Sequence, residues 1–90
     1  MLQKIKLRLR IKNASFDSEV ADLIAEAKQD LILSGVLESK VIDTDPLIKR
    51  AVYLYAKANF GLDNADSEKY MEAFTSLKKH LTLSAEYTEG

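Results

Sequence analysis

No cysteine occurs in the 90 residues, so disulfides, thiolate metal sites and cysteine nucleophiles are excluded. Glycine occurs three times, singly, at Gly35, Gly61 and Gly90, which leaves no Gly-rich loop to cradle a phosphate. Histidine occurs once, at His80. No run approaches the roughly eighteen apolar residues that a membrane span needs. The start, MLQKIKLRLRIK, is basic but has no apolar core of signal-peptide type, and the expected location is a cytoplasm. Net charge is lacking too: 13 Lys and Arg against 14 Asp and Glu give −1, a poor footprint for a dedicated nucleic-acid binder.

What is present is one helical domain's worth of chain, with a real but modest core. Its centre is the run Asp45 to Gly61, DPLIKRAVYLYAKANFG. Asp45 can accept orphan backbone N–H groups, Pro46 suits the first helical position, and Gly61 suits a left-handed stop. Leu47, Ala51, Leu54 and Ala58 make one apolar row, and Ile48, Val52, Tyr55, Ala56 and Phe60 make a second. A helix apolar on most sides is a central helix, here about 46–60, with neighbours around it.

The remaining chain supplies those neighbours. Residues 2–11 read two ways. Ile5, Leu7, Leu9 and Ile11 alternate with basic residues like a half-buried strand, yet Leu2, Ile5 and Leu9 fall at helical spacing. A lone strand leaves its backbone groups unpaired, so a short helix running into an extended end near Arg10–Lys12 is expected. Asn13 and Ser15 are candidate caps for a helix from about Phe16 to Ser34, with Val20, Leu23, Ile24, Ala27 and Leu31 on one stripe. Ile32 and Leu33 are expected to widen that face, and Gly35 to end the helix. Residues 36–44 read as an ordered connector, with Val36, Leu37, Val41 and Ile42 tucked against the core. Leu62, Asp63 and Asn64 read as the next turn, with Asn64 as cap and Ala65 at the first helical position. The last helix carries Tyr70, Phe74, Leu77 and Leu81 on its stripe. The expected architecture is all-α, a small bundle of three main helices plus a short N-terminal one. Residues 1–83 form the single domain and 84–90, SAEYTEG, a flexible tail.

Few residues carry a chemical motif. Asp22 and Glu26 stand one turn apart and could share a metal, but without a histidine or a second carboxylate pair a solvated helix face is the better reading. His80 has no Ser, Cys or carboxylate placed to support it as a base. Neither catalysis nor a cofactor or metal is expected. Tyr53 reads as an interface residue and Tyr55 as core. The local feature with a functional flavour is charge asymmetry. Lys4, Lys6, Arg8, Arg10 and Lys12 form a basic arm, followed by a stretch rich in acids that includes Asp22 and Glu26. As a helix, the arm sets Lys4, Arg8 and Lys12 on one side. Such a pattern suits internal pairing or head-to-tail contact between copies.

The blocks LRLRIKNASFDSEVADLIAEAKQDLILSGV, DPLIKRAVYLYAKANFG and DNADSEKYMEAFTSLKKHLTLSAEY together resemble the head–tail connector (adaptor) proteins of tailed bacteriophages and prophages. The order is shared across nearly the whole chain: a basic lead, an acidic helix ending in Gly, an Asp-Pro-started helix, and a last helix closing on Ser-Leu-Lys-Lys-His-Leu. Ala65 departs from the proline expected after the Asn cap. The resemblance implies a structural protein of the virion's head–tail joint, assembled in the host cytoplasm. It implies a ring of about a dozen copies under the portal protein, through which DNA passes without sequence-specific binding. The ring extends the channel and docks the next head-completion, stopper or tail protein. Lys4, Arg8, Lys12, Asp22, Glu26 and Tyr53 are then candidate intersubunit or partner surfaces, and the tail is expected to order on the portal. The alternative is a small helical DNA-binding or regulatory module, which would need Arg, Asn or Gln clustered on an outward recognition helix. A general oligomeric scaffold is a third reading.

Overall fold

The computed structural model describes residues 1–61 and 65–89, and every regular element within them is helical. In chain order these are α1 (Leu2–Leu9), α2 (Asp17–Leu33), α3 (Pro46–Asn59), α4 (Ser67–Leu83) and α5 (Ala85–Thr88). Single 3-10 turns lie at Ala14–Phe16 and Glu38–Lys40.

Capping chemistry fixes the start of α3. Asp45 Oδ1 accepts the backbone N–H groups of Leu47 and Ile48, at 2.8 and 3.2 Å, and Pro46 opens the first turn. Ile48, Ala51, Val52, Leu54, Ala56 and Ala58 are buried because α1, α2 and α4 all pack on this helix. It is the central element that its apolar girdle requires. Leu47 and Ile42 differ from expectation and remain partly exposed.

Helix α2 ends in a Schellman motif. Val36 N–H donates to Leu31 O and Gly35 N–H to Ile32 O, with Gly35 at φ 119°. Val36 and Leu31 are both buried, which supplies the apolar contact that accompanies this cap. Leu33 does not widen the core face. It points outward and is largely exposed, while Ile32 is half-buried.

Helix α1 ends the same way, with Ile11 N–H to Lys6 O and Arg10 N–H to Leu7 O. Here the left-handed residue is Arg10, at φ 61° and ψ 37°. That conformation costs an L-residue about 1–2 kcal/mol, of which glycine's extra chain entropy would return roughly half. Arg10→Gly should therefore stabilise the fold by about 0.5–1 kcal/mol, seen as a higher urea midpoint. An unchanged or lower midpoint would mean that the Arg10 side chain holds the turn together. The strand reading of this segment fails on one pair: Ile5 is buried, whereas Leu7, two residues on, is 78% exposed.

Helix α4 begins at Ser67 rather than Ala65, because Ala65 and Asp66 form a turn. Ser67 Oγ donates to Ala58 O at 2.5 Å and ties the start of α4 to the end of α3. The expected turn and cap at residues 62–64 lie outside the described residues. Phe74 and Leu81 anchor α4 in the core, and Tyr70, Met71 and Leu77 pack against it.

Residues 85–88 lie within the stretch expected to be a flexible tail. They form α5, Tyr87 is buried, and its carbonyl accepts the Leu37 N–H at 2.9 Å. The Tyr87 hydroxyl donates to the Asp45 carboxylate, at 2.9 Å to Oδ2. One aromatic ring with a hydrogen-bonded hydroxyl is enough to dock a segment that composition marks as polar.

Candidate functional site

Lys4 and Arg8 stand one turn apart on the exposed side of α1. With Ile5, Leu7, Pro46 and Lys49 they line a groove of about 390 Å³ between α1 and the first turn of α3. None of these lining residues is acidic, and the floor is apolar. The nearby Lys4 ammonium, then desolvation and Arg8, hold the Lys49 ammonium below its ordinary pKa of 10.5. The Arg8 guanidinium lies 5.2 Å from the centroid of the Tyr53 ring, so Tyr53 belongs to this basic surface.

Two cations of the arm are elsewhere. Lys12 follows the left-handed turn at Arg10, so it does not continue the Lys4–Arg8 row and stands exposed beyond it. Lys6 is turned inward, only 6% exposed, and its ammonium lies 2.5 Å from Asp17 Oδ1. A buried charge needs such a partner, and this pair ties α1 to the start of α2.

Other charges pair within the chain as well. Lys78 meets Asp30 at 2.8 Å and Lys28 meets Asp43 at 2.7 Å. The Lys28 hydrogen bond holds the Asp43 carboxyl below its ordinary pKa of 3.8 against an opposing desolvation, with the Lys28 and N-terminal charges adding to it. Asp22 and Glu26 are exposed on α2, and neither meets a cation among the described residues. Glu26 accepts a hydrogen bond from the Tyr55 hydroxyl at 3.2 Å. Burial first, and then Glu26, raise the Tyr55 phenol above its ordinary pKa.

The candidate residues thus divide into two surfaces. Lys4, Arg8 and Tyr53 come together; Asp22 and Glu26 form a separate acidic patch; Lys12 joins neither. Lys49 and Leu7 are the members that the sequence reading misses. Lys49 follows Pro46 by one helical turn, but nothing in the sequence says that α1 lies alongside. Among the described residues no three His, Cys, Asp or Glu side chains gather into a metal-holding group. His80 is exposed, and no helix among the described residues is long and apolar enough to cross a membrane. What converges is charge around an apolar floor, an arrangement suited to binding an acidic partner with an apolar side chain of its own.

A family model described as phage connector protein matches residues 1–88. The chain belongs to the phage connector protein family. No curated protein and no solved structure matches it. Family membership makes the chain a structural component of a phage virion, with a head–tail connector role and other head and tail proteins as its associates. For a connector, opposed charged surfaces are the features of interest, because contact with neighbours is the work such a protein does.

Proposed function

We propose that this connector forms a closed ring beneath the portal of a DNA-filled phage head, extends the DNA channel, and docks the next head-completion or tail protein. The observation that carries the reading is the family match across residues 1–88. The structure is compatible with it in two ways. The chain is a small helical domain, 39 × 24 × 18 Å, whose modest core gains from burial against neighbours. It also separates a basic groove from an acidic patch, as head-to-tail contact requires: a heterologous interface needs two different, complementary surfaces on each copy. DNA passes through the ring without sequence-specific contacts, and assembly takes place in the host cytoplasm.

The test is removal of this reading frame from the phage or prophage that encodes it, followed by electron microscopy of the particles. Separate tails beside heads that have lost their DNA are the expected result. Normal infectious particles would sink the reading. They would give first place to the small DNA-binding module, whose signature is a steeply salt-dependent affinity for duplex DNA.

A further inference from the structure

The basic groove is unfavourable as it stands. Lys4 and Arg8 are like charges at i, i+4, Lys49 adds a third cation, and no acid lines the groove to offset them. Between the two cations of α1, Leu7 projects outward, 78% exposed. An exposed leucine flanked by two cations is a poor solvent face and a good knob. What such a knob needs is a hole of small residues edged by carboxylates.

That hole exists on α2. Asp22, Ala25, Glu26 and Gln29 are all exposed and stand at i, i+3, i+4 and i+7, the four-residue diamond that receives a knob in helix-to-helix packing. Ala25 keeps the floor of the diamond open, and Asp22 and Glu26 edge it with negative charge. The two surfaces lie on opposite flanks. Asp17, which holds Lys6 of α1, is separated from Asp22 and Glu26 by roughly 160° around α2, at 3.6 residues per turn. Glu26 and Asp30 instead reach toward Tyr55 and toward Lys78 of α4, away from α1. A copy therefore cannot fill its own hole with its own knob, but a neighbouring copy can.

We infer that in the connector ring Leu7 of one copy seats in the Asp22–Ala25–Glu26–Gln29 diamond of the next, with Lys4 and Arg8 paired to Asp22 and Glu26. This rests on the ring reading above and specifies which faces make it. A second copy is favoured over a nucleic-acid phosphate backbone because the groove floor and its projecting residue are apolar, and a backbone offers nothing to cover them. The contact is heterologous, and its repetition closes a ring when the rotation per copy allows.

The cysteine-free sequence makes the test clean. Joined phage particles are prepared with the Leu7→Cys, Ala25→Cys double variant in place of the natural chain, oxidised, and run on a non-reducing gel. Both sites are exposed, so folding should be little affected. The expected result is a ladder of covalent multimers from the double variant, with no multimers from either single variant alone. A single-chain band from particles that do contain the protein would overturn the pairing and leave the connector role standing. Dimers from Leu7→Cys alone would overturn it too, since they would mean that α1 faces α1. Absence of the natural chain from joined particles would sink the connector role and this pairing with it. A charge swap gives the second arm. Lys4→Glu with Arg8→Glu should lose joined particles, and adding Asp22→Lys with Glu26→Lys should restore them. Salt-sensitive retention on duplex DNA that Lys4→Glu, Arg8→Glu abolishes, without any ladder from the double cysteine variant, would assign the groove to nucleic acid instead.

Discussion

Phe74→Ala should cost about 3–5 kcal/mol, the range for removing a fully buried aromatic side chain. A domain of 90 residues holds about 5–13 kcal/mol in all, so the variant would lose roughly a quarter or more of its stability. The size of the effect follows from how α4 is attached. Phe74 has no exposed surface, its ring meets Tyr55 of α3 edge-on at 5.2 Å, and the Lys78 ammonium lies 5.3 Å from its centroid. Removing the ring therefore leaves a cavity between α3 and α4 and takes away the aromatic face beside the cation that holds Asp30 on α2. Urea unfolding followed by circular dichroism would measure the loss. A change below about 1 kcal/mol would mean that α4 is held mainly by other contacts. Leu83→Ala on the same helix is the control: that side chain is 76% exposed, and its loss should stay within about 0.5 kcal/mol.

Tyr87→Ala should cost about 3 kcal/mol, an effect far larger than a polar chain end suggests. The ring is 6% exposed and anchors a helix of only four residues, too short to hold itself together. Tyr87→Phe separates the two contributions. It keeps the ring but removes the hydroxyl that donates to the Asp45 carboxylate, a hydrogen bond to a charged group worth about 1.5–3 kcal/mol. The same geometry makes the alkaline limb of stability diagnostic. Burial, and then the Asp45 hydrogen bond and charge, push the Tyr87 phenol up to about 12 from the ordinary 10.0. The folded state thus favours the protonated phenol. Its contribution is complete below pH 10 and is lost as pH rises toward 12, when the unfolded chain ionises first. Thermal melts across that window should fall less steeply for Tyr87→Phe than for the natural chain. The slope that remains belongs in part to Tyr55, whose phenol is raised in the same direction. Identical slopes would show that Tyr87 is not closed against Asp45 in solution.

The fold is legible in the sequence wherever a long apolar period coincides with capping residues. Asp45, Pro46 and Gly61 bracket the central helix, expected over about 46–60 and observed over Pro46–Asn59, and Gly35 marks the stop of α2. The N-terminal helix follows from the argument that a lone strand could not satisfy its backbone. Three features escape this kind of reading. Helix α5 has four residues, too few to show any period, and its docking depends on a single ring meeting a carboxylate 42 positions earlier. The burial of Lys6 is invisible because an alternating basic arm gives no sign of which cation turns inward; the decision is made by Asp17 across a tertiary contact. The start of α4 shifts by two residues because Ser67 is bound by Ala58 O, a partner that propensity does not see.

The candidate surface is legible only in part, for a related reason. Lys4, Arg8 and Tyr53 are named from charge asymmetry and residue type, and the structure joins them through the Arg8–Tyr53 stacking contact. Lys12 drops out because a helix wheel extended past Arg10 assumes an axis that the left-handed turn ends. Lys49 enters because α1 lies against the first turn of α3, and one-dimensional spacing carries no such information. Asp22 and Glu26 keep the distinction that composition could not give them. Asp17, Asp30 and Asp43 all meet cations of their own chain, whereas Asp22 and Glu26, like Glu19 and Glu38, meet none among the described residues.

The stretch Asp43–Asp45 holds both extremities of the described chain. The amino group of Met1 lies 3.6 Å from Asp43, and the Tyr87 hydroxyl closes on Asp45 two positions later. In space the polypeptide is thus close to a closed loop, with its outer segments fastened at one knot in the middle of the sequence. A change of backbone path at residues 43–45 would therefore disturb both fastenings at once.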